Sequence, residues 1–174
     1  MPNTTRRNFL VTSSTALVGT GLSASMIPNV HVGGHDEVRV ALIGCGGRGT
    51  GAVAQIFNTA GATKLVAVAD AFRHKAEGAV ASLKAHGGAK VEVTADSTFS
   101  GLDAYKHAID SDANLIVIAT PPGFKPQQFE YAVKQGKHIF MEKPVATDAP
   151  GIRRVLAAVR ESEKKKLMVG IGLQ

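Results

Sequence analysis

The chain has 174 residues, 44% of them hydrophobic, enough for one domain with a real core and too few for a second of similar size. A single cysteine, Cys45, excludes an intrachain disulfide. The formal charge of +6 comes without a basic stripe interleaved with aromatics, which are 5% of the chain, so no nucleic-acid partner is expected.

The start of the chain reads as a leader. Residues 5–10 read Thr-Arg-Arg-Asn-Phe-Leu, and an uncharged stretch of apolar residues diluted by Ser, Thr and Gly runs on to Ile27. Residues 1–30 are therefore expected to be a twin-arginine export signal, which engages the twin-arginine machinery and sends the chain to a periplasmic or extracytoplasmic space. Ser23-Ala24-Ser25 offers small residues for cleavage. Retention as an anchor is the second reading, because the segment is short and polar beside the roughly 20 apolar residues of a spanning helix. Residues 31–36 hold His31, Gly33, Gly34 and His35 and read as a flexible linker, not a metal site; the folded domain is expected over 37–174.

Val38 to Ile43 form an apolar run of the kind buried on both faces of a parallel sheet. Next comes Gly44-Cys45-Gly46-Gly47-Arg48-Gly49, a G-x-G-x-x-G fingerprint, leading into a predicted helix over Thr50 to Asn58. Gly44 allows the tight turn, Gly46 the approach of backbone to a pyrophosphate, and Gly49 the packing of helix on strand. A second apolar run, Leu65 to Ala69, ends at Asp70, twenty-one residues after Gly49, near the spacing at which a carboxylate meets an adenosine ribose. Asp70 also suits the N-cap of a helix predicted over Ala71 to Ala85, and the two roles are compatible. Its charge repels a 2′-phosphate and favours NAD, with NADP open because Arg73 and Lys75 follow. The loop lacks a Gly-Lys-Ser or Gly-Lys-Thr ending, which excludes a nucleoside-triphosphatase P-loop.

Alternation continues with a helix over Leu102 to Asp110, a strand at Leu115 to Ala119 and a helix over Pro126 to Lys134. A strand at His138 to Met141, a helix over Ala149 to Lys164 and a strand at Leu167 to Ile171 complete it. Lys164, Lys165 and Lys166 at the end of the last helix complement its dipole. This rhythm predicts an α/β fold: a doubly wound parallel Rossmann sheet of about six strands, with ligands at the strands' C-terminal ends.

Ala119-Thr120-Pro121-Pro122 after one strand and Met141-Glu142-Lys143-Pro144 after the next make the chain resemble the Gfo/Idh/MocA oxidoreductases from about Glu37 to Gln174. The resemblance implies that Thr120 and Pro121 line the dinucleotide, that Glu142 helps hold the nicotinamide side, and that Lys143 reaches a sugar or polyol substrate as the catalytic residue. Together with Gly44, Cys45, Gly46, Gly47, Arg48, Gly49 and Asp70 these form the expected cofactor site. A cis peptide before Pro144 is a further expectation from the resemblance. Many relatives carry a histidine where this chain has Lys125, which either binds an anionic substrate group or is simply an exposed residue before Pro126; the second is the expectation. The family continues into a second α/β domain that supplies most substrate contacts, a base and the oligomer interface. This chain stops at Gln174, so it is expected to bind cofactor without turnover, with a homo-oligomer expected only of a full-length protein. The alternatives are an NAD-dependent glycoside hydrolase of the same family, which oxidises only transiently, and a dinucleotide-binding module without catalysis. A twin-arginine route suits any of these, because it carries folded proteins that load their cofactor before crossing.

Overall fold

The computed structural model describes residues 37–172; the expected leader and linker lie outside the described residues. Strand β1 (Val38–Ile43) forms where the first apolar run was read, and Val40 to Ile43 are at most 2% exposed. Its side chains alternate between two layers, Ala41 and Ile43 on one face of the sheet and Val40 and Leu42 on the other. That period of two, apolar at every step, makes β1 a central strand.

The chain then runs α1 (Gly47–Phe57), β2 (Thr63–Asp70), α2 (Arg73–Gly87), β3 (Thr98–Ser100), α3 (Ala104–Asp110), β4 (Leu115–Ile118), α4 (Lys125–Lys134), β5 (His138–Glu142), α5 (Ala149–Lys164) and β6 (Val169–Gly172). All six strands are parallel in the order β3-β2-β1-β4-β5-β6. Helices α1 and α2 cover one face through Val53, Phe57, Ala76 and Leu83. Helices α3, α4 and α5 cover the other through Ala108, Phe129, Ala132 and Val155. This is the open, doubly wound Rossmann sheet expected from the alternation. The strand order reverses between β1 and β4, and the crevice at their C-terminal ends is the place such sheets reserve for a ligand.

Several bounds differ from expectation: α1 starts at Gly47 and not at Thr50, α3 at Ala104 and not at Leu102, and β6 at Val169 and not at Leu167, while two further elements differ for a reason the structure shows. Strand β3 carries no apolar run and is only three residues long; it exists because Val68, Ala69 and Asp70 of β2 offer it a ladder. Helix α2 starts at Arg73 and not at Ala71, because the Asp70 carboxylate takes the Phe72 N–H and keeps Phe72 extended. Asp70 is thus the end of a strand, and Phe72 holds the N-cap position.

A half-buried lysine and an exposed one close the opposite edge. Lys137 Nζ donates to the carbonyls of Ser111 and Ala113 just past α3, at 2.9 and 2.7 Å, and Lys165 Nζ donates to Val133 and Lys134 at the end of α4, at 3.0 and 2.9 Å. Cations at helix C-termini satisfy carbonyls that have no intrahelical donor. Burial pushes the Lys137 ammonium below its ordinary value, with Asp110 pulling the other way. Lys137→Met keeps the stem and removes the donors, and it is expected to lower stability by about 1–2 kcal/mol in chemical denaturation. An unchanged midpoint would show that water replaces the ammonium at no cost.

Candidate functional site

The glycine loop is built by steric need. Gly44 follows β1 at φ +92°, a conformation that disfavours side chains, and a Cβ there would lie 2.7 Å from the Ala119 carbonyl carbon and the Thr120 nitrogen at the end of β4. The β1 turn therefore packs directly on the β4 turn. A Cβ on Gly49 would lie 2.1 Å from the Gly44 carbonyl oxygen and 3.0 Å from Leu42 Cδ1, so only glycine lets α1 sit this close to β1. Gly46 is different: a Cβ there meets nothing within 4 Å. It faces open space at the N-cap of α1, where no side chain caps the helix and no acidic residue occupies the first turn. The first-turn amides thus have neither side-chain nor intrahelical acceptor, and with the positive end of the helix dipole they form a seat for an anion.

Asp70 ties this loop to β2. Its Oδ2 accepts from the Cys45 N–H at 2.8 Å and its Oδ1 from the Phe72 N–H at 3.0 Å. The Cys45 N–H is thereby committed to Asp70 and is not offered to a ligand. The Cys45 thiol points under the loop, 6% exposed; burial and then the Asp70 charge push it up to about 12, while its bond to the Ala69 carbonyl opposes them. The native chain is expected to resist thiol alkylation at neutral pH, with modification following unfolding, as mass spectrometry would read. Fast labelling of the folded chain would place the thiol outside the loop's underside.

The crevice itself is a cleft of about 440 Å³. Gly44, Gly46, Asp70, Thr120 and Pro121 line it, and with them Phe72, Lys75, Leu102, Tyr105, Phe124 and Gln128. None of these last six except Lys75 was singled out in the sequence. They come from three segments, each carrying one exposed apolar residue, Phe72, Leu102 and Phe124. Thr120 is fixed by a 2.6 Å hydrogen bond from its Oγ1 to Gln128 Oε1 on α4.

A second cluster lies at the end of β5. Glu142 is 3% exposed, and Arg48 of the glycine loop brings NH2 to 2.8 Å from its Oε1. The guanidinium lies off the line of a hydrogen bond, so among the described residues this oxygen has a charge partner and no hydrogen-bond donor. Gly172 on β6 leaves the room: a Cβ there would stand 2.7 Å from both carboxylate oxygens. Lys143, next in sequence, is exposed, stands outside the cleft lining, and donates its backbone N–H to the Gly172 carbonyl at 3.3 Å. The Lys143–Pro144 peptide is cis. Gly47 is exposed at the start of α1 and Gly49 is buried beneath it.

Lys125 corrects the sequence reading. Expected to be exposed, it is 2% exposed, and its Nζ donates to the carbonyls of Glu142 at 2.5 Å and Pro144 at 3.0 Å. Burial draws its ammonium below the ordinary lysine value, and the Glu142 charge pulls the other way.

The residues present fit a dinucleotide: an open Gly46, an uncapped helix N-terminus, a carboxylate at the end of β2 and a cleft across the switch point. Comparison with known proteins agrees. The sequence model of the Gfo/Idh/MocA family, described as "Oxidoreductase family, NAD-binding Rossmann fold", matches residues 38–171. An inositol 2-dehydrogenase of Rhizobium meliloti is 37% identical over 133 residues, 76% of this chain and 36% of that protein. A glycosyl hydrolase family 109 protein of Solibacter usitatus is 30% identical over 153 residues, 84% of this chain and 34% of that protein. Among solved structures, the myo-inositol dehydrogenase of Lactobacillus casei in complex with NAD(H) and myo-inositol is 25% identical with a TM-score of 0.60, over 78% of this chain and 36% of that one. The chain spans about a third of the length of the relatives it matches. On the strength of the family match, the fold and the site, the chain belongs to the Gfo/Idh/MocA oxidoreductases and carries their NAD-binding Rossmann domain.

Proposed function

We propose that this chain serves an NAD-dependent oxidoreductase acting on a polyol or sugar, with NAD laid across the β1–β4 crevice and Lys143 facing the reacting hydroxyl. One observation carries the reading. Gly46, Asp70 and Thr120, from three strand ends, converge on a single cleft, and the next strand end over carries Lys143.

In this reading Asp70 accepts the ribose hydroxyls, and Gly46 with the first turn of α1 receives the pyrophosphate. Thr120 and Pro121 flank the nicotinamide half, and Glu142, tied to Arg48, borders it on the β5 side. The nicotinamide, when bound, supplies the hydride acceptor or donor. The Lys143 ammonium donates a hydrogen bond to the substrate oxygen and stabilises the negative charge that develops there. An exposed lysine is free to take that position, and bound cofactor would remove water from around it.

The test is a calorimetric titration of the chain with NAD beside a Lys143→Ala variant. Wild type is expected to bind, and Lys143→Ala to bind within about threefold of it, a difference of about 0.7 kcal/mol, because this side chain addresses the substrate. Absence of binding to a folded wild type at millimolar NAD would sink the assignment. A glycoside hydrolase chemistry is the second reading, favoured by the Solibacter relative. Net accumulation of NADH during turnover by a full-length homologue marks the dehydrogenase; release of an aglycone without it marks the hydrolase.

We also propose export by the twin-arginine route, which rests on Arg6-Arg7 and the uncharged stretch behind them. Replacing both arginines by lysine is expected to retain the chain in the cytoplasm of a bacterial host, as fractionation would read. Unaltered export would rule this address out.

A further inference from the structure

Helix α4 begins with a residue whose burial packing alone does not explain. Lys125 is 2% exposed, yet among the described residues its ammonium pairs with no carboxylate oxygen; it is spent on two main-chain carbonyls, those of Glu142 and Pro144. These are the carbonyls of the two residues that flank Lys143. Burying a cation is unfavourable unless its donors are satisfied, and an apolar side chain would fill the same space without that cost. What the ammonium adds is a fixed pose for the backbone on both sides of one exposed residue. Three residues along the same helix, Gln128 holds Thr120 at 2.6 Å. The first turn of α4 therefore anchors both the loop after β4 and the segment after β5.

We propose that Lys125 is a positioning residue: through the carbonyls of Glu142 and Pro144 it fixes the backbone from which Lys143 projects toward the substrate side of the cleft. This rests on the reading that Lys143 stands beside bound NAD. A neutral donor could reach one of the carbonyls, but only a multidentate cation holds both with charge-assisted bonds.

The experiment is an NMR titration with NAD of the whole chain carrying 13C-labelled lysine, with Lys143→Arg used to assign the Lys143 side-chain signal. Lys125→Met, Lys125→Gln and Lys125→Arg are compared with wild type. Wild type is expected to show a single Lys143 signal that shifts on saturation with NAD. In Lys125→Met that shift is expected to be largely lost, while NAD affinity changes by less than about threefold and Lys125→Arg restores the shift. Lys125→Gln, with one neutral donor, carries the same comparison should the Met variant fail to fold, and is expected to lose most of the shift. A folded Met or Gln variant whose Lys143 signal responds to NAD as in wild type would overturn the proposal. A different failure marks the underlying reading: the Gly46 and Asp70 amides move with NAD in wild type while Lys143 stays still. In that case Lys143 does not stand beside the cofactor, and the role of Lys125 falls with it.

Discussion

Gly46→Val is expected to abolish NAD binding, by more than about 100-fold in affinity, while leaving the fold intact, and Gly49→Ala is expected to act on the fold itself, by lowering stability. The two glycines stand three residues apart in one fingerprint, yet their surroundings are opposite. Gly46 has ordinary extended backbone, φ −78° and ψ 176°, and open space where a side chain would go. Valine fits there in the free protein, so its cost appears only when a pyrophosphate must reach the amides of α1. At Gly49 a methyl group would overlap the Gly44 carbonyl oxygen at 2.1 Å and press on Leu42 and Ala119. Backbone cannot yield as a side chain does, so α1 must move off β1, at a cost of about 2–4 kcal/mol. Thermal melts paired with calorimetry separate the two effects. Undiminished NAD binding by Gly46→Val would mean that the anion sits elsewhere; an unchanged melting temperature for Gly49→Ala would mean that α1 is not seated as described.

That contrast also shows what kind of information the sequence held. The spacing of the fingerprint and the apolar runs of β1, β2, β4 and β5 were legible because each is local: these strands carry their own buried apolar residues, and β6, an edge strand with Ile171 exposed, was legible from its short apolar run alone. Strand β3 was not, since Thr98–Ser100 is an edge segment defined by its partner and not by its composition. The candidate residues Gly44, Gly46, Asp70, Thr120 and Pro121 were recoverable because the fold gathers strand ends, and they do line one cleft. Side-chain pairings were beyond reach. Arg48 and Glu142 were each singled out, but nothing in the sequence joins them across 94 positions. Lys125 looked exposed beside Pro126, and its two acceptors lie 17 and 19 residues away on another turn. Gly172, which makes room for the Glu142 carboxylate, reads locally as one more glycine in a strand.

Asp70→Asn is expected to weaken NAD by about 10-fold and Asp70→Ala by about 10- to 100-fold, corresponding to roughly 1.5–3 kcal/mol. The NAD:NADP affinity ratio is expected to fall in both. The carboxylate has two duties. It holds the Cys45 N–H at 2.8 Å and the Phe72 N–H at 3.0 Å, which fixes the start of the glycine loop relative to the end of β2. It also lines the cleft, where its remaining lone pairs would accept from the ribose hydroxyls under the proposed pose. Alanine removes both duties and leaves two amides without their acceptor, so stability is expected to drop by about 1–2 kcal/mol as well. Asparagine keeps one carbonyl oxygen for one of these amides, loses the charge, and presents an NH₂ group where the ribose needs an acceptor. Without the negative charge, a 2′-phosphate is no longer repelled. Arg73 cannot easily turn to greet it, because its Nε is held by Glu77 at 2.8 Å and its NH1 by the Thr98 carbonyl at 3.1 Å. Lys75 lines the cleft and supplies the nearby cation. Relief at the 2′-phosphate should therefore be smaller in an Asp70→Asn/Lys75→Met double variant than in Asp70→Asn alone. Titration of wild type, Asp70→Asn, Lys75→Met and the double variant with both nucleotides measures this as a coupling between the two positions. A ratio that stays constant in Asp70→Asn would show that this carboxylate organises the loop and does not read the ribose.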